Sequence, residues 1–192
     1  CEGPASWFVE AYKATGKLDR AEEAYRRYAS QSEGDQSGKD ALWELVEVQK
    51  ERKAFRSALD TLERILASGD AEAALEATFR KGDVLLMMDD REGAVAAWEG
   101  LKALSPKNSP FRIKGLINLG EEYEKRKDDC AAADVYDDIG RNAPQGNVAQ
   151  AAKERAKAFR GAGGGGGKAP KGKAAPADEE PEDLDRTQVM PS

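Results

Sequence analysis

The chain has 192 residues, 34% of them charged and 40% apolar, which is enough for one domain and a short extension. It contains no histidine, two cysteines and no run of 18 or more apolar residues, which excludes His-based catalysis, most zinc sites and a membrane-spanning helix. Because the net charge is -6, we expect no broad attraction to nucleic acid or anionic lipid. After these exclusions, the expectation is a helix-rich protein that binds other macromolecules.

Four segments of the first 160 residues align with one another, beginning at Phe8, Leu42, Thr78 and Leu116. Each segment carries an alanine at the same place, and these alanines are separated by 37, 36 and 38 residues. The four are Ala21, Ala58, Ala94 and Ala132. A repeat of this length indicates a stack of small helical units.

Each unit contains two runs of apolar residues at helical spacing, separated by a short polar turn. In the first unit, one run includes Phe8 and Tyr12, residues 16–17 form the turn, and the second run begins at Leu18. This pattern predicts one helical hairpin per unit. A single hairpin cannot cover its own apolar face, so the hairpins are expected to stack side by side.

Small and breaking residues support the same division of the chain. Gly82 and Gly120 are expected to let neighbouring helices approach closely, and Pro106 and Pro144 follow the third and fourth units, where they would stop a helix. Residues 148–159 have one more helical period and predict a capping helix at the end of the stack.

These residues together resemble the tetratricopeptide repeat. The positions that match its small, aromatic and closing residues are the four alanines, Gly82, Gly120, Tyr12, Tyr123, Pro106 and Pro144. The repeat is longer than the usual 34 residues, and Gln49 replaces the tyrosine of the second unit. The resemblance implies an all-α, right-handed solenoid of about four helical hairpins plus a capping helix over residues 1–160.

The long period and the final stretch PQGNVAQAAKERAKAF are similar to a bacterial envelope subgroup of this family. That subgroup includes Tol-Pal-associated cell-division coordinators and outer-membrane assembly lipoproteins. Residues 161–192 have a different composition, with seven glycines, four prolines and no aromatic residue. Such a segment buries too little apolar surface to offset its ordering entropy, so a disordered tail, first basic and then acidic, is predicted.

No catalytic residue, metal site or cofactor is predicted. The paired carboxylates Glu121–Glu122 and Asp128–Asp129 fall on expected helical surface and its turn, where charges normally face solvent. Residues 33–44 place oxygen ligands at the offsets of a calcium loop, but the first ligand is Glu33, where such a loop has Asp. The alternative, which we favour, is a polar loop in which Ser37 caps the next helix. Cys130 is predicted to be a small buried residue.

One face of the first helix in each hairpin lines the concave groove of tetratricopeptide proteins, and the resemblance implies a partner-binding groove here. The groove residues predicted on this basis are Glu10, Trp43, Glu47, Phe79, Asp83, Leu86, Ile117 and Glu121. They combine an acidic ladder with apolar anchors, which favours a protein partner with a basic or amphipathic segment. The alternative is that the aromatic residues complete the packing between repeats and the acids are ordinary surface.

The chain begins Cys-Glu-Gly-Pro, as a bacterial lipoprotein does after its signal peptide is removed, so Cys1 is a lipidation candidate. The expected function is a non-catalytic scaffold without a nucleic-acid partner. Cys1 favours a place on the periplasmic side of the envelope, with membrane contact only through a lipid on Cys1. The alternatives are a cytoplasmic location and a recruiting or regulatory region that belongs to a larger multi-repeat protein or enzyme.

Overall fold

The computed structural model describes Tyr12 and residues 15–162. Within that part of the chain there are eight α-helices and no strand. The helices are α1 (Leu18–Gln31), α2 (Gln36–Glu51), α3 (Phe55–Leu66), α4 (Ala71–Met87), α5 (Arg91–Gly100), α6 (Pro110–Arg126), α7 (Asp129–Asn142) and α8 (Asn147–Ala162). The expectation of an all-helical protein is therefore confirmed.

Three complete hairpins follow one another: α2 with α3, α4 with α5, and α6 with α7. We call α2, α4 and α6 the first helices and α3, α5 and α7 the second helices. Helix α1 occupies the position of a second helix and packs on α2, whereas α8 packs on α7 at the other end of the stack. Pro106 and Pro144 both lie in connections after a hairpin, as the sequence predicts.

Every hairpin turns through one residue with a left-handed backbone. These residues are Gly16, Lys53, Asp89 and Lys127, with φ between 59° and 69°. The residue after each donates its N–H to a carbonyl five positions back, over 2.8 to 3.0 Å. The accepting carbonyls belong to Tyr12, Gln49, Leu85 and Tyr123. This is the bond of a Schellman motif. It ends α2, α4 and α6 and starts the return of the chain, and the same bond precedes α1.

Small residues set how closely the helices pack. The four repeated alanines have no exposed surface, which leaves no room for a larger side chain. The indole of Trp98 lies against Gly82, and a methyl group built on Gly82 would overlap that ring. A methyl group on Gly120 would lie 2.8 Å from the ring of Tyr136. The predicted role of both glycines in close packing is thus confirmed.

The apolar core consists of three clusters along the stack. One joins α1 to α2 around Tyr25 and Leu45, and a second joins α2, α3 and α4 around Leu62. The largest runs through the third and fourth units and the capping helix, around Trp98 and Leu119. The capping helix therefore shares the core of the last hairpin.

A buried polar chain crosses the first two units. Thr61 donates a hydrogen bond of 2.9 Å to Gln49, and Gln49 donates one of 3.3 Å to Glu22. Glu22 is buried and also pairs with Arg26 and Arg52. Gln49, at the position of the expected tyrosine, therefore supplies an amide that accepts a hydrogen bond from α3 and donates one to α1.

Arg112 is a buried charge with a complete set of partners. Its side chain is 1% exposed and lies 2.5 Å from an Asp138 carboxylate oxygen. It also donates to the carbonyls of Leu101, Lys102 and Lys107, over 3.0 to 3.4 Å. One guanidinium group therefore ties the connection between α5 and α6 to helix α7.

Three local predictions are wrong. Asp35 stands at the start of α2 without a side-chain cap bond, and Ser37 lies inside the first turn. Cys130 is exposed at the start of α7, where the sequence predicts a buried residue. Glu122 is 3% exposed, where a solvent-facing residue was expected.

Helix α8 continues to Ala162. Residues 163–192, where a tail is predicted, lie outside the described residues.

Gly82→Ala should destabilise the protein, because the added methyl group must displace the buried Trp98 ring and its hydrogen bond to the Phe79 carbonyl. We expect a loss of about 1 to 3 kcal/mol in the free energy of unfolding in urea. Gly100→Ala is the matched control, since its methyl group would meet only a Thr78 methyl at 4.0 Å. Equal effects of the two changes would contradict the packing role of Gly82.

Arg112→Ala should lower the free energy of unfolding by about 3 kcal/mol, because Asp138 and three carbonyls lose their partner. Arg112→Lys keeps the charge but not the forked geometry and should recover only part of this loss. Arg141→Ala, an exposed arginine of α7, should change stability by less than about 0.5 kcal/mol. Urea unfolding of the three variants tests this order, and a different order rejects it.

Candidate functional site

The groove residues predicted for the second to fourth units lie on the three first helices. Trp43 and Glu47 are on α2, and Glu121 with Ile117 is on α6; Phe79, Asp83 and Leu86 are on α4. Glu121 is exposed and the others are half-buried. We call this surface the first-helix face. Glu10 and the lipidation candidate Cys1 lie outside the described residues.

Arg80 is the centre of the charged part of this face. Its guanidinium pairs with Glu47 of α2 and lies 2.6 Å from Glu76 of its own helix. It also lies over the ring of Trp43, 5.1 Å from the centroid, in a cation–π contact. Lys50 lies 3.0 Å from Glu47. Arg80 therefore joins two neighbouring first helices through one aromatic and one acidic partner.

The acidic ladder predicted from the sequence is accordingly a mixed-charge surface. Among the described residues, four carboxylates and two cations share the first-helix face: Glu47, Glu76, Asp83, Glu121, Lys50 and Arg80. Sequence reasoning missed Arg80, although its spacing of four residues from Glu76 is a signal of a helical ion pair. These six side chains together carry an excess of two negative charges.

Asp83 connects α4 to the next first helix. The Asn118 amide of α6 donates a 3.3 Å hydrogen bond to an Asp83 carboxylate oxygen. Burial raises the pKa of Asp83 to about 6, although Lys50, Arg80 and the Asn118 hydrogen bond act in the opposite direction. Desolvation thus outweighs two nearby cations, and Asp83 changes its charge close to neutral pH.

The apolar part of the face lies between α4 and α6. The rings of Phe79 and Phe111 are 6.2 Å apart, with a tilt of 38° between their planes. Phe79, Phe111, Leu86 and Ile117 all pack against the largest core cluster and all keep part of their surface exposed. They therefore complete the packing between repeats and still present a strip of apolar surface. Phe111 was not singled out from the sequence because Pro110, before it, indicates only a helix start.

Helix α8 reaches the fourth unit beside Glu124, which lies 3.7 Å from Arg155. Tyr136 donates a 2.6 Å hydrogen bond to Glu124, and Arg155 of α8 lies 5.2 Å from the centroid of the Tyr136 ring. Burial and then the bond to Glu124 raise the pKa of Tyr136 above its ordinary value. Glu124 is therefore held in the packing against the capping helix.

One member of each carboxylate pair makes structural contacts. Burial opposes ionisation of Glu122, but hydrogen bonds and charge attraction from Lys125 and Arg91 outweigh it and lower the pKa. Asp128 accepts a 3.1 Å hydrogen bond from the Ala131 N–H at the start of α7. Across the residues that the structure describes, no three or more His, Cys, Asp or Glu side chains converge as metal ligands. No described helix is long and apolar enough to cross a bilayer.

Stacked antiparallel hairpins of 36 to 38 residues, closed by a capping helix, define a helical-repeat protein. Residues 9–119 match the tetratricopeptide repeat-like domain, which is more than half of the chain. The protein belongs to that family. A search among curated proteins found no match.

Two solved structures share the fold. A tetratricopeptide repeat protein from Parabacteroides merdae is 15% identical, with a TM-score of 0.58 over 82% of this chain. This chain spans 59% of the length of that protein. BtubC (BKLC) from P. vanneervenii is 16% identical, with a TM-score of 0.51, and the match covers 92% of this chain and 86% of BtubC.

Asp83→Asn should stabilise the protein above pH 6. Because its pKa is raised to about 6 from 3.8, folded wild-type protein binds the Asp83 proton more tightly than unfolded protein, so this carboxyl lowers stability as the pH rises from 4 to 6. The amide removes that loss and should raise the free energy of unfolding at pH 7.5 by about 1 kcal/mol, a value reduced for partial exposure.

Urea unfolding at pH 4 and pH 7.5 tests this prediction, with the exposed Asp60 as the control position. For Asp60→Asn, the difference from wild type in the free energy of unfolding should be the same at pH 4 and at pH 7.5. The advantage of Asp83→Asn over wild type should be larger at pH 7.5 than at pH 4. If it is not, the pKa of Asp83 is not raised.

Proposed function

We propose that this protein is a non-catalytic scaffold that binds a segment of a partner protein along the first-helix face. The observation that carries the proposal is the continuity of that face across three repeats. Trp43, Arg80 and Glu47 join α2 to α4, and the Asp83–Asn118 bond joins α4 to α6. Tetratricopeptide repeat-like domains commonly serve protein–protein interaction, which agrees with this role.

The chemistry of the face favours an amphipathic segment that carries positive charge. Trp43, Phe79 and Ile117 offer half-exposed apolar surface to one side of such a segment. The two carboxylates in excess over Lys50 and Arg80 would attract its basic side chains, which chiefly raises the association rate and specificity. Arg80 already partly screens Glu47, so a purely basic segment without apolar side chains is expected to bind less tightly.

The envelope location, the periplasmic side and the lipid on Cys1 form a further part of this proposal. Sequence resemblance alone supports them. The alternative role, as the recruiting or regulatory region of a larger protein, would use the same first-helix face.

Selection of peptides from a random 16-residue display library, with the 192-residue chain as bait, tests the groove. We expect enrichment of sequences that combine Lys or Arg with aromatic or aliphatic residues. The double variant Glu47→Gln/Asp83→Asn should then weaken the selected peptides at least tenfold in calorimetric titrations, and Trp43→Ala should do the same, because both remove groups that contact the peptide.

The control is Glu23→Gln/Asp60→Asn, which removes two exposed carboxylates from α1 and α3 instead. It should change the dissociation constant by less than twofold, and thermal unfolding should show that all variants stay folded. A selection without such peptides, or an equal loss of affinity in both double variants, would reject the groove.

A further inference from the structure

A second surface lies where two hairpin turns come together, away from the first-helix face. A cavity of about 360 Å³ opens there, between the α2–α3 turn and the end of α4. Its lining residues are Lys53, Ala54, Phe55, Arg56, Ser57 and Met88. We call these residues, together with Met87, the turn-edge patch.

The patch exposes more apolar surface than its neighbours. Met87 is 53% and Met88 37% exposed, and Val148 is the other large apolar residue of the described chain that is exposed. Phe55 is half-buried beside them. Met88 lines the cavity and Met87 precedes it in the chain. Two exposed methionines provide an adaptable apolar surface of the kind that contacts another segment.

The patch is also basic, although the whole chain is acidic. Lys53 and Arg56 are exposed, and neither forms an ion pair with any described residue. The nearest acids along the chain are Glu51, two residues before Lys53, and Asp89, which follows Met88. Asp89 lies 4.0 Å from Arg91, and among the described residues neither acid pairs with Lys53 or Arg56. The patch therefore presents two uncompensated cations beside apolar side chains, and it suits a segment that is both acidic and apolar.

The same chain contains a segment with that composition at residues 178–190. Its sequence, DEEPEDLDRTQVM, has six carboxylates and one arginine, together with Leu184, Val189 and Met190. Its acids complement Lys53 and Arg56, and its apolar residues complement Phe55 and the two methionines. A chain with net charge -6 gains by bringing such a segment to a basic patch.

The topology brings the segment within reach. Helix α8 runs antiparallel to α7, since Arg160 contacts Asp134 near the start of α7 and Lys153 lies against Gly140 near its end. Ala162 therefore lies at the edge where the hairpins turn. From α8 to α3, which carries Arg56, the helix contacts run through α7, α6 and α4, which makes four helix-to-helix steps, or at most about 40 Å.

Residues 163–177 separate Ala162 from the acidic segment. A Gly-rich chain of that length has a root-mean-square span of about 21 Å and reaches about 50 Å when extended. The distance to the patch lies between these values. Attachment to the same chain also gives the segment an effective concentration of the order of millimolar, so even a weak contact would be populated.

We propose that residues 178–190 bind back onto the turn-edge patch of the same chain, with their carboxylates on Lys53 and Arg56 and their apolar residues over Phe55 and Met88. The contact is reversible and sensitive to salt, because its charged groups lie at the surface. It stands independently of the first-helix face, which lies on other side chains.

The three methionines of the chain make this contact observable, because two lie in the patch and Met190 lies in the segment. Full-length protein labelled with ¹³C at the Met methyl groups should give three signals, assigned with single Met→Leu variants. We expect the Met190 signal to differ from that of a free peptide of residues 178–190 and to show contacts to Phe55 or Met88. At 0.5 M NaCl it should move at least halfway to the free position.

Two matched variants decide where the segment binds. Lys53→Gln/Arg56→Gln should move the Met190 signal at least halfway to the free position. Lys153→Gln/Lys157→Gln removes two exposed cations of α8, closer to the tail, and should leave the signal unchanged. Equal effects of the two variants, or a Met190 signal identical to that of the free peptide, overturn the proposal. A signal that depends on protein concentration between about 20 and 200 µM also overturns it, because the segment would then bind a second copy.

Discussion

The rest of the structure depends on the close approach of helices at very small residues. The repeated alanines are fully buried, and Gly82 and Gly120 accept the rings of Trp98 and Tyr136 against their backbones. With larger residues at these positions the second helices would move away from the first helices. The contacts of Arg80 with Trp43 and Glu47 then connect α2 to α4 through one long side chain.

This packing also governs the electrostatics of the first-helix face. Asp83 lies near two cations, yet burial between first helices raises its pKa to about 6, so the desolvation penalty is the larger effect. Glu122 shows the reverse balance, because Lys125 and Arg91 outweigh its burial and keep it ionised. The ionisation state of each carboxylate therefore depends on contacts between helices as much as on its own helix.

The sequence alone predicts the features that depend on local periodicity. The hairpins, the buried alanines and the close contact at Gly82 follow from spacing within one unit. Contacts between units do not, because they depend on the angle at which hairpins stack. Arg80, Phe111 and Asn118 are therefore absent from the predicted groove. The predicted burial of Cys130 is wrong for a related reason, since a rotation of less than half a turn at a helix start decides which side is buried.

The turns show why such repeats are easy to miss when side chains are compared. The carbonyl that closes each hairpin belongs to Tyr12, Gln49, Leu85 or Tyr123, and the bond involves main-chain atoms alone. The side chain at this position therefore takes no part in the turn. It can pack in the core, join a buried amide network as Gln49 does, or donate a hydrogen bond from a hydroxyl as Tyr123 does. The family match ends at residue 119, within α6, whereas the hairpin it enters continues to Asn142. When repeats are counted by their main-chain turns, the α6–α7 hairpin is included as a complete repeat, although the family match covers only part of it.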